Sequence, residues 1–335
     1  MLEWKKDGWK AAICLAPMLL LMALFTFYPI INTIITSFKV YPDAPSGIND
    51  FVGWGFGAYF DPAYNPSMEA WEWGKEIPVL QDKSFWSAVA FTVLLAVISV
   101  PLSIIIALLI SVALCSIKPL RSIFQTIFFL PYVTNGIAFG MVFASIFSGN
   151  GLINTMFNLT INWIGDGGRA SFGQQAGTLP DLTVAMWAGA IVIITYTVWN
   201  GLAFKILVFV GGIQGIDKQY YQAAQLDGAS KWRVFRKITL PLLSPMVLYI
   251  TITSLIGAFK AYSSIVAIYG DTMGSGSDSQ FMTAVGYIYN SFNQVTGASQ
   301  WQLLPVSSAS AVVLFILIMI VTGFQMLYNK KRVHY

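Results

Sequence analysis

The sequence predicts an all-α, polytopic membrane protein. It has six transmembrane helices, both termini in the cytoplasm, and a two-helix cytoplasmic loop between spans 4 and 5. Three observations predict it. Only 10% of the 335 residues are charged and 56% are hydrophobic, whereas about 25% of a typical soluble domain is charged. The apolar residues gather in runs that reach the roughly 20 residues needed to cross a bilayer. The Lys and Arg residues gather between alternate runs, which is the asymmetry that sets topology.

The first span, about residues 11–38, carries no charge. It is too long for a signal-peptide core and has no obvious small-residue cleavage site, so it is expected to be retained. Residues 39–84 carry seven acids and the aromatics Trp54, Tyr59, Trp71 and Trp73, and are expected to form a folded extracytoplasmic cap. Spans 2 and 3 follow at about 85–117 and 122–147. A Gly-rich outer segment then runs to residue 181. It contains Asn158-Leu159-Thr160, a glycosylation acceptor pattern that is common by chance. Span 4 is about 182–211, span 5 about 240–268 and interrupted by Lys260, and span 6 about 303–328. Pro17, Pro29 and Pro101 lie inside spans, where neighbouring helices accommodate kinks. Residues 1–335 are read as a single membrane domain.

Orientation follows from the basic residues. One side holds Lys5, Lys6 and Lys10, then Lys118 and Arg121, then Lys205, the five between 217 and 239, and Lys330, Lys331 and Arg332. That is 14 of 19. Lys39, Lys75, Lys83 and Arg169 face the other side with 11 acids. The basic-rich side is the cytoplasm. Cys14 and Cys115 sit in apolar runs and read as small buried hydrophobes, and the single His334 is penultimate. A His-based catalytic or metal site is excluded, and nucleic-acid binding is not needed to explain the net charge.

The loop at residues 217–239 is the most structured polar stretch. Tyr220 to Leu226 are helix formers, Asp227-Gly228 is a turn pair, and Ser230 restarts a helix with Trp232, Phe235 and Ile238 on one face. Ala223, Ala224, Gly228 and Ala229 offer a small-residue face suited to insertion into another protein. A basic amphipathic helix of this kind also reads as an anionic-lipid binder. The residues "YYQAAQLDGASKWRVFRKITLP" resemble the "EAA" loop of ABC-importer permease subunits. Ala223, Ala224, Asp227, Gly228, Ala229, Ile238, Leu240 and Pro241 match its pattern. "GGIQGIDKQYY", "FTFYPIINTIITSF", "FVGWGFGAYF" and "FFLPYV" are similar to the carbohydrate-uptake branch, as in the larger permease of maltose-type importers, though with six spans. Gln222 replaces the family's leading Glu, so that contact loses its charge-assisted component, which is roughly twice as strong as a neutral hydrogen bond.

The resemblance implies a permease subunit with no catalytic residues and no cofactor of its own. ATP and Mg belong to a separate nucleotide-binding subunit, docked through Gln222, Ala223, Ala224, Asp227, Gly228 and Ala229. It implies a second homologous permease forming a heterodimer, two copies of the ATPase, an extracytoplasmic solute-binding protein, a carbohydrate cargo and a bacterial inner-membrane location. Polar and aromatic residues at membrane depth are expensive and often functional. They cluster at Thr197, Asn200, Gly201 and Phe204 in span 4, and at Phe259, Lys260, Tyr262 and Ser263 in span 5. Both clusters lie where the family's sugar contacts lie, and Asn200, Gly201, Phe204, Phe259, Lys260 and Ser263 match them by aligned position, although helix packing is the other reading for any one residue. Lys260 has no acid in its span to pair with. It is expected to face the path and an electron-rich or anionic sugar; a pair with the other permease or snorkelling are the alternatives.

Competing classes fare worse. A secondary carrier needs an ion-coupling site, and no Asp or Glu lies inside any span. A channel would need a filter motif. Within the importer class the alternative cargo is a polyol, a glycerol phosphate or an osmolyte.

Overall fold

The computed structural model describes residues 4–40, 53–60, 79–80, 82–117, 121–159, 161–164, 171–172, 182–270, 281–298 and 303–330. Most of the expected cap, including Trp71 and Trp73, lies outside these, as do residues 165–170 and 173–181 of the Gly-rich segment.

The chain is nearly all helix. In order it forms α1 (Trp4–Met22), a π-helical turn (Ala23–Phe27), α2 (Tyr28–Ser37), β1 (Lys39–Val40), β2 (Gly53–Trp54), α3 (Gly57–Phe60) and α4 (Lys83–Ser116). Then come α5 (Arg121–Val133), α6 (Gly136–Ile146), α7 (Leu152–Phe157), β3 (Ile161–Asn162), β4 (Ser171–Phe172) and α8 (Leu182–Gln214). The last part holds α9 (Lys218–Leu226), α10 (Lys231–Val234), a second π turn (Phe235–Thr239), α11 (Leu240–Leu242), α12 (Ser244–Phe259), α13 (Ser263–Tyr269), α14 (Ala284–Ala298) and α15 (Leu303–Lys330). Two antiparallel two-stranded ribbons pair Lys39 with Trp54 and Ile161 with Phe172.

Among the described residues four helices are long and apolar enough to cross a membrane: Ile13–Ser37, Lys83–Ser116, Ala188–Gln214 and Leu304–Leu327. Two bent pairs raise the number to six if each is one span. The segment read as a straight third span turns by 100° between Ile123–Val133 and Gly136–Ile146. Pro131 supplies no N–H near this corner. Asn135 adopts extended backbone and its side-chain oxygen accepts from Ile137 N at 2.9 Å, capping the new helix. The fifth span bends by 64° between Lys231–Leu242 and Ser244–Phe259, where Pro241 and Pro245 lie. It breaks again at residues 260–262, with Tyr262 at φ −141°, ψ −60°. Neither break is a defect in an otherwise paired backbone, since caps and neighbouring helices absorb the freed groups.

The chain divides into two compact units. In the first (Met1–Trp86 with Tyr287–Ile316), Tyr59 donates to Ser37 Oγ at 2.7 Å, and Phe38 packs against Phe56 and Tyr59. Tyr287 donates to the Asp82 carboxylate, and Trp86 Nε1 donates to Leu80 O at 3.0 Å. Burial, then the Asp82 carboxylate, pushes the Tyr287 phenol above its ordinary range. In the second (Ser87–Gly286 with Leu317–Tyr335), Ala107, Leu108 and Leu114 of α4 pack with Ile206, Phe209 and Val210 of α8 and with Leu243 and Ile250. Ser111 Oγ bonds Ala107 O at 2.7 Å and reaches Ile206 O across the contact at 3.3 Å. α6 and α13 pack closest: a Cβ on Gly140 would fall 2.1 Å from the Ala267 Cβ.

Candidate functional site

The loop between α8 and α12 is built from three caps. Asp217 starts α9 by accepting from Gln219 N at 2.9 Å. Asp227 ends it, and Gly228 takes the left-handed conformation at φ 66°. Gly228 N donates to Gln225 O at 3.1 Å and Ala229 N to Ala224 O at 2.9 Å. That pair of bonds is a Schellman motif, whose left-handed residue is normally glycine. Ser230 Oγ then accepts from Arg233 N at 3.4 Å to open α10. Tyr221 and Thr239 hydroxyls lie 3.2 Å apart and join the two arms.

The loop exposes Gln222, Ala223, Asp227 and Gly228 together with Lys231, Arg233, Arg236 and Lys237. Large apolar groups join them: Leu226 is 90% exposed and Trp232 67%. Ala224 points inward and is buried, and Ala229 is half-buried. The small-residue face expected from sequence is therefore divided, with Ala223 and Gly228 outward and Ala224 inward.

The second cluster lies within the membrane-length segments. Thr197, Asn200, Gly201 and Phe204 are all half-buried on α8. The Thr197 hydroxyl oxygen is buried with no hydrogen-bond partner among the described residues. Phe204 stacks on Tyr132 of α5 with ring centroids 6.1 Å apart, and meets Tyr249 of α12 at 6.4 Å. Tyr132 and Tyr249 are exposed, so three rings form a partly open aromatic row. On the other segment Phe259 is buried, whereas Lys260 and Ser263 are exposed and Tyr262 is half-buried. Lys260 caps the C-terminus of α12, where the helix dipole favours a cation. The structure thus joins Phe204 to α5 and α12, and sets Lys260, Tyr262 and Ser263 together at one helix break.

Several neighbours have other work. Trp199 packs on Phe139 and Phe143 at 4.9 and 5.3 Å. Tyr196 is buried and donates to Gly136 O at 2.6 Å, holding the corner that starts α6. Lys205, counted from sequence with the cytoplasmic cations, instead lies within α8 and is buried, 7% exposed. Its Nζ donates to Gly201 O at 3.3 Å, and a Cβ on Gly201 would come within 2.6 Å of that nitrogen. Tyr132 and Tyr249 escaped the sequence reading because contact with Phe204, not composition, singles them out. Among the described residues no group of three His, Cys, Asp or Glu side chains could hold a metal. A polar cleft near α7, about 560 Å³, is lined by Asn150, Asn154 and Asn158. Its Asn154 is committed to the local fold, donating to Gly149 O at 2.8 Å and accepting from Trp163 Nε1 at 2.9 Å.

The chain is 30% identical over 265 residues to a probable ABC transporter permease protein of Mycoplasma genitalium, covering 78% of this chain and 70% of that one. It is 28% identical over 317 residues to the lactose transport system permease protein of Rhizobium radiobacter, covering 94% and 90%. Its fold matches a chain in the crystal structure of a bacterial ABC transporter involved in the import of the acidic polysaccharide alginate. There the TM-score is 0.70 at 18% identity, covering 99% and 98% of the two chains. Residues 110–335, which include the capped loop and both polar clusters, match a family profile, and the chain belongs to that family: binding-protein-dependent transport system inner membrane components.

Proposed function

We propose that this chain is one of two permease subunits in an ATP-driven importer of carbohydrate, an oligosaccharide or related sugar. It crosses a bacterial inner membrane six times with both termini in the cytoplasm. It acts as one membrane domain and forms half of the path. Residues 217–239 dock on an ATPase subunit present in two copies, and an extracytoplasmic binding protein delivers the cargo.

The capped loop carries the reading. It is a two-helix element held by the Asp217, Gly228 and Ser230 caps, and it leads through a π turn and α11, across the 64° bend, into α12. A pull on α9 therefore reaches a membrane helix without being lost in flexible chain, as a rigid-body switch requires. Hydrolysis is left to the ATPase, which holds ATP and Mg. The carbohydrate cargo is supported by the lactose permease among the relatives and by the aromatic row at Phe204. Aromatic faces stack on sugars, while Thr197, Asn200, Tyr262 and Ser263 supply hydrogen-bonding groups and Gly201 allows close approach. Phe259, buried at the end of α12, is the further ring of the site, and Lys260 contacts an electron-rich or anionic group.

The test is oligosaccharide-stimulated ATP hydrolysis by the reconstituted importer with its binding protein. Stimulation by oligosaccharides, abolished in uptake but not in basal hydrolysis by Gly228→Val, supports the reading. Stimulation by glycerol phosphate alone would overturn the cargo class, and normal uptake with Gly228→Val would overturn the role of the loop.

A further inference from the structure

Lys205 is the least explained cation in the molecule. Residue 201 is the midpoint of the membrane-length segment Ala188–Gln214. At 1.5 Å per residue, Lys205 lies only about 6 Å from that midpoint. It is 93% buried by the exposure given above, yet among the described residues its ammonium makes one hydrogen bond, to the Gly201 carbonyl. No Asp or Glu occurs anywhere in residues 182–214 or 240–268. A buried charge without a counter-charge is costly, by several kcal/mol in real proteins, and an ionisable group at this depth marks a functional site by default.

Snorkelling does not account for it. A lysine relieved by the nearby water would extend towards the end of α8 at Gln214, nine residues or about 14 Å away. The side chain points the opposite way, back over Gly201 and towards the middle of the segment. Glycine at 201 is what leaves room for it there, because any Cβ would overlap the nitrogen. One turn further back on the same face, at i−8, stands Thr197 with its unpartnered, buried hydroxyl oxygen. Residues 197, 201 and 205 form a single polar stripe at four-residue spacing, beside the ring of Phe204. An ammonium with donors to spare and an orphan hydroxyl are complementary to an acidic, hydroxylated ligand.

We infer that Lys205 is a cargo-binding residue that receives a carboxylate carried on the imported sugar. The inference rests on the carbohydrate-importer reading. In the empty chain the ammonium is held on the Gly201 carbonyl, and a uronate group takes its place there. Lys260 at the helix break supplies a second cation, so the preferred cargo is an acidic oligosaccharide rather than a neutral one.

The experiment uses the complete importer in proteoliposomes with two probes of equal length, a hexuronate oligosaccharide and a neutral oligosaccharide. Wild type, Lys205→Met and Lys205→Gln are compared for the concentration dependence of uptake, with thermal melting of each complex as a folding control. Removing a charge-assisted hydrogen bond predicts a rise of about tenfold or more in the half-saturating hexuronate concentration in both variants. Uptake of the neutral probe stays within about twofold. Equal effects on both probes, no effect on either, or full recovery in Lys205→Gln would overturn the inference. Failure of the wild type to take up either probe would overturn the carbohydrate reading itself, a different result from wild-type uptake of both with variants unchanged.

Discussion

Tyr196 holds the corner of the third membrane segment with one atom, the phenol oxygen 2.6 Å from Gly136 O. A net hydrogen bond contributes about 1 kcal/mol, and an acceptor left buried without a partner costs more. Tyr196→Phe should therefore lower the stability of the detergent-purified chain by about 1–3 kcal/mol, read as a drop in melting temperature; an unchanged melt would show that the corner does not depend on it. Gly140 makes the opposite kind of contact. Its missing Cβ lets α6 approach Ala267, so Gly140→Val should cost about 1–3 kcal/mol through overpacking, also read by melting. Among single residues, Lys260 stood out in sequence because a charge is rare at membrane depth, and the structure sets it at the helix break after α12. Lys205 was placed inside span 4 yet counted with the cytoplasmic cations, and its packing against Gly201 is what shows its depth. Ala224 was grouped with outward alanines, since a short helix carries no periodic signal strong enough to separate its faces.

At the scale of elements, the loop was the most legible part and the broken helices the least. Asp-Gly followed by Ser announces a helix stop and restart in local chemistry alone, and the structure supplies the bonds those residues need. The 100° corner at residues 134–135 was not read as a break, because Ser122 to Phe147 carries no charge and Pro131 is tolerated inside many spans, although Thr134-Asn135-Gly136 interrupts the apolar run at that point. α14 was missed as well: its alternation of aromatics with Asn, Ser and Gln is too polar for a span. Two predictions belong here. Gly228→Ala, at φ 66°, should cost about 1–2 kcal/mol in local strain and reduce uptake while basal ATP hydrolysis continues, because the angle between α9 and α10 changes. Asn135→Ala should cost about 1 kcal/mol through the lost cap, detectable as faster amide exchange over residues 134–138; unaltered exchange there would remove the cap from the account of the bend.

Across the whole molecule, apolar composition and charge asymmetry made the membrane class legible, since both follow directly from the solvent. The number of crossings is less direct: among the described residues four helices satisfy the length criterion, and two bent pairs raise the number to six if each is one span. Topology is tested by a single cysteine at Gln225→Cys in a chain lacking Cys14 and Cys115. An impermeant maleimide applied to intact spheroplasts should leave it unlabelled and should label it once the inner face is opened. Labelling from outside would overturn the cytoplasmic position of the loop.

The tight seat of α13 on α6 has a mechanical consequence. With backbones that close, the two helices cannot slide past each other and behave as a clamped wall. α12, by contrast, is joined through α11 to the capped loop at one end and to residues 260–262 at the other. A turn of α12 against α13 would then be taken up at residues 260–262, the break that joins them. Lys260 sits at that joint, so a change of angle between the two helices and a change in the setting of its ammonium would be one motion rather than two.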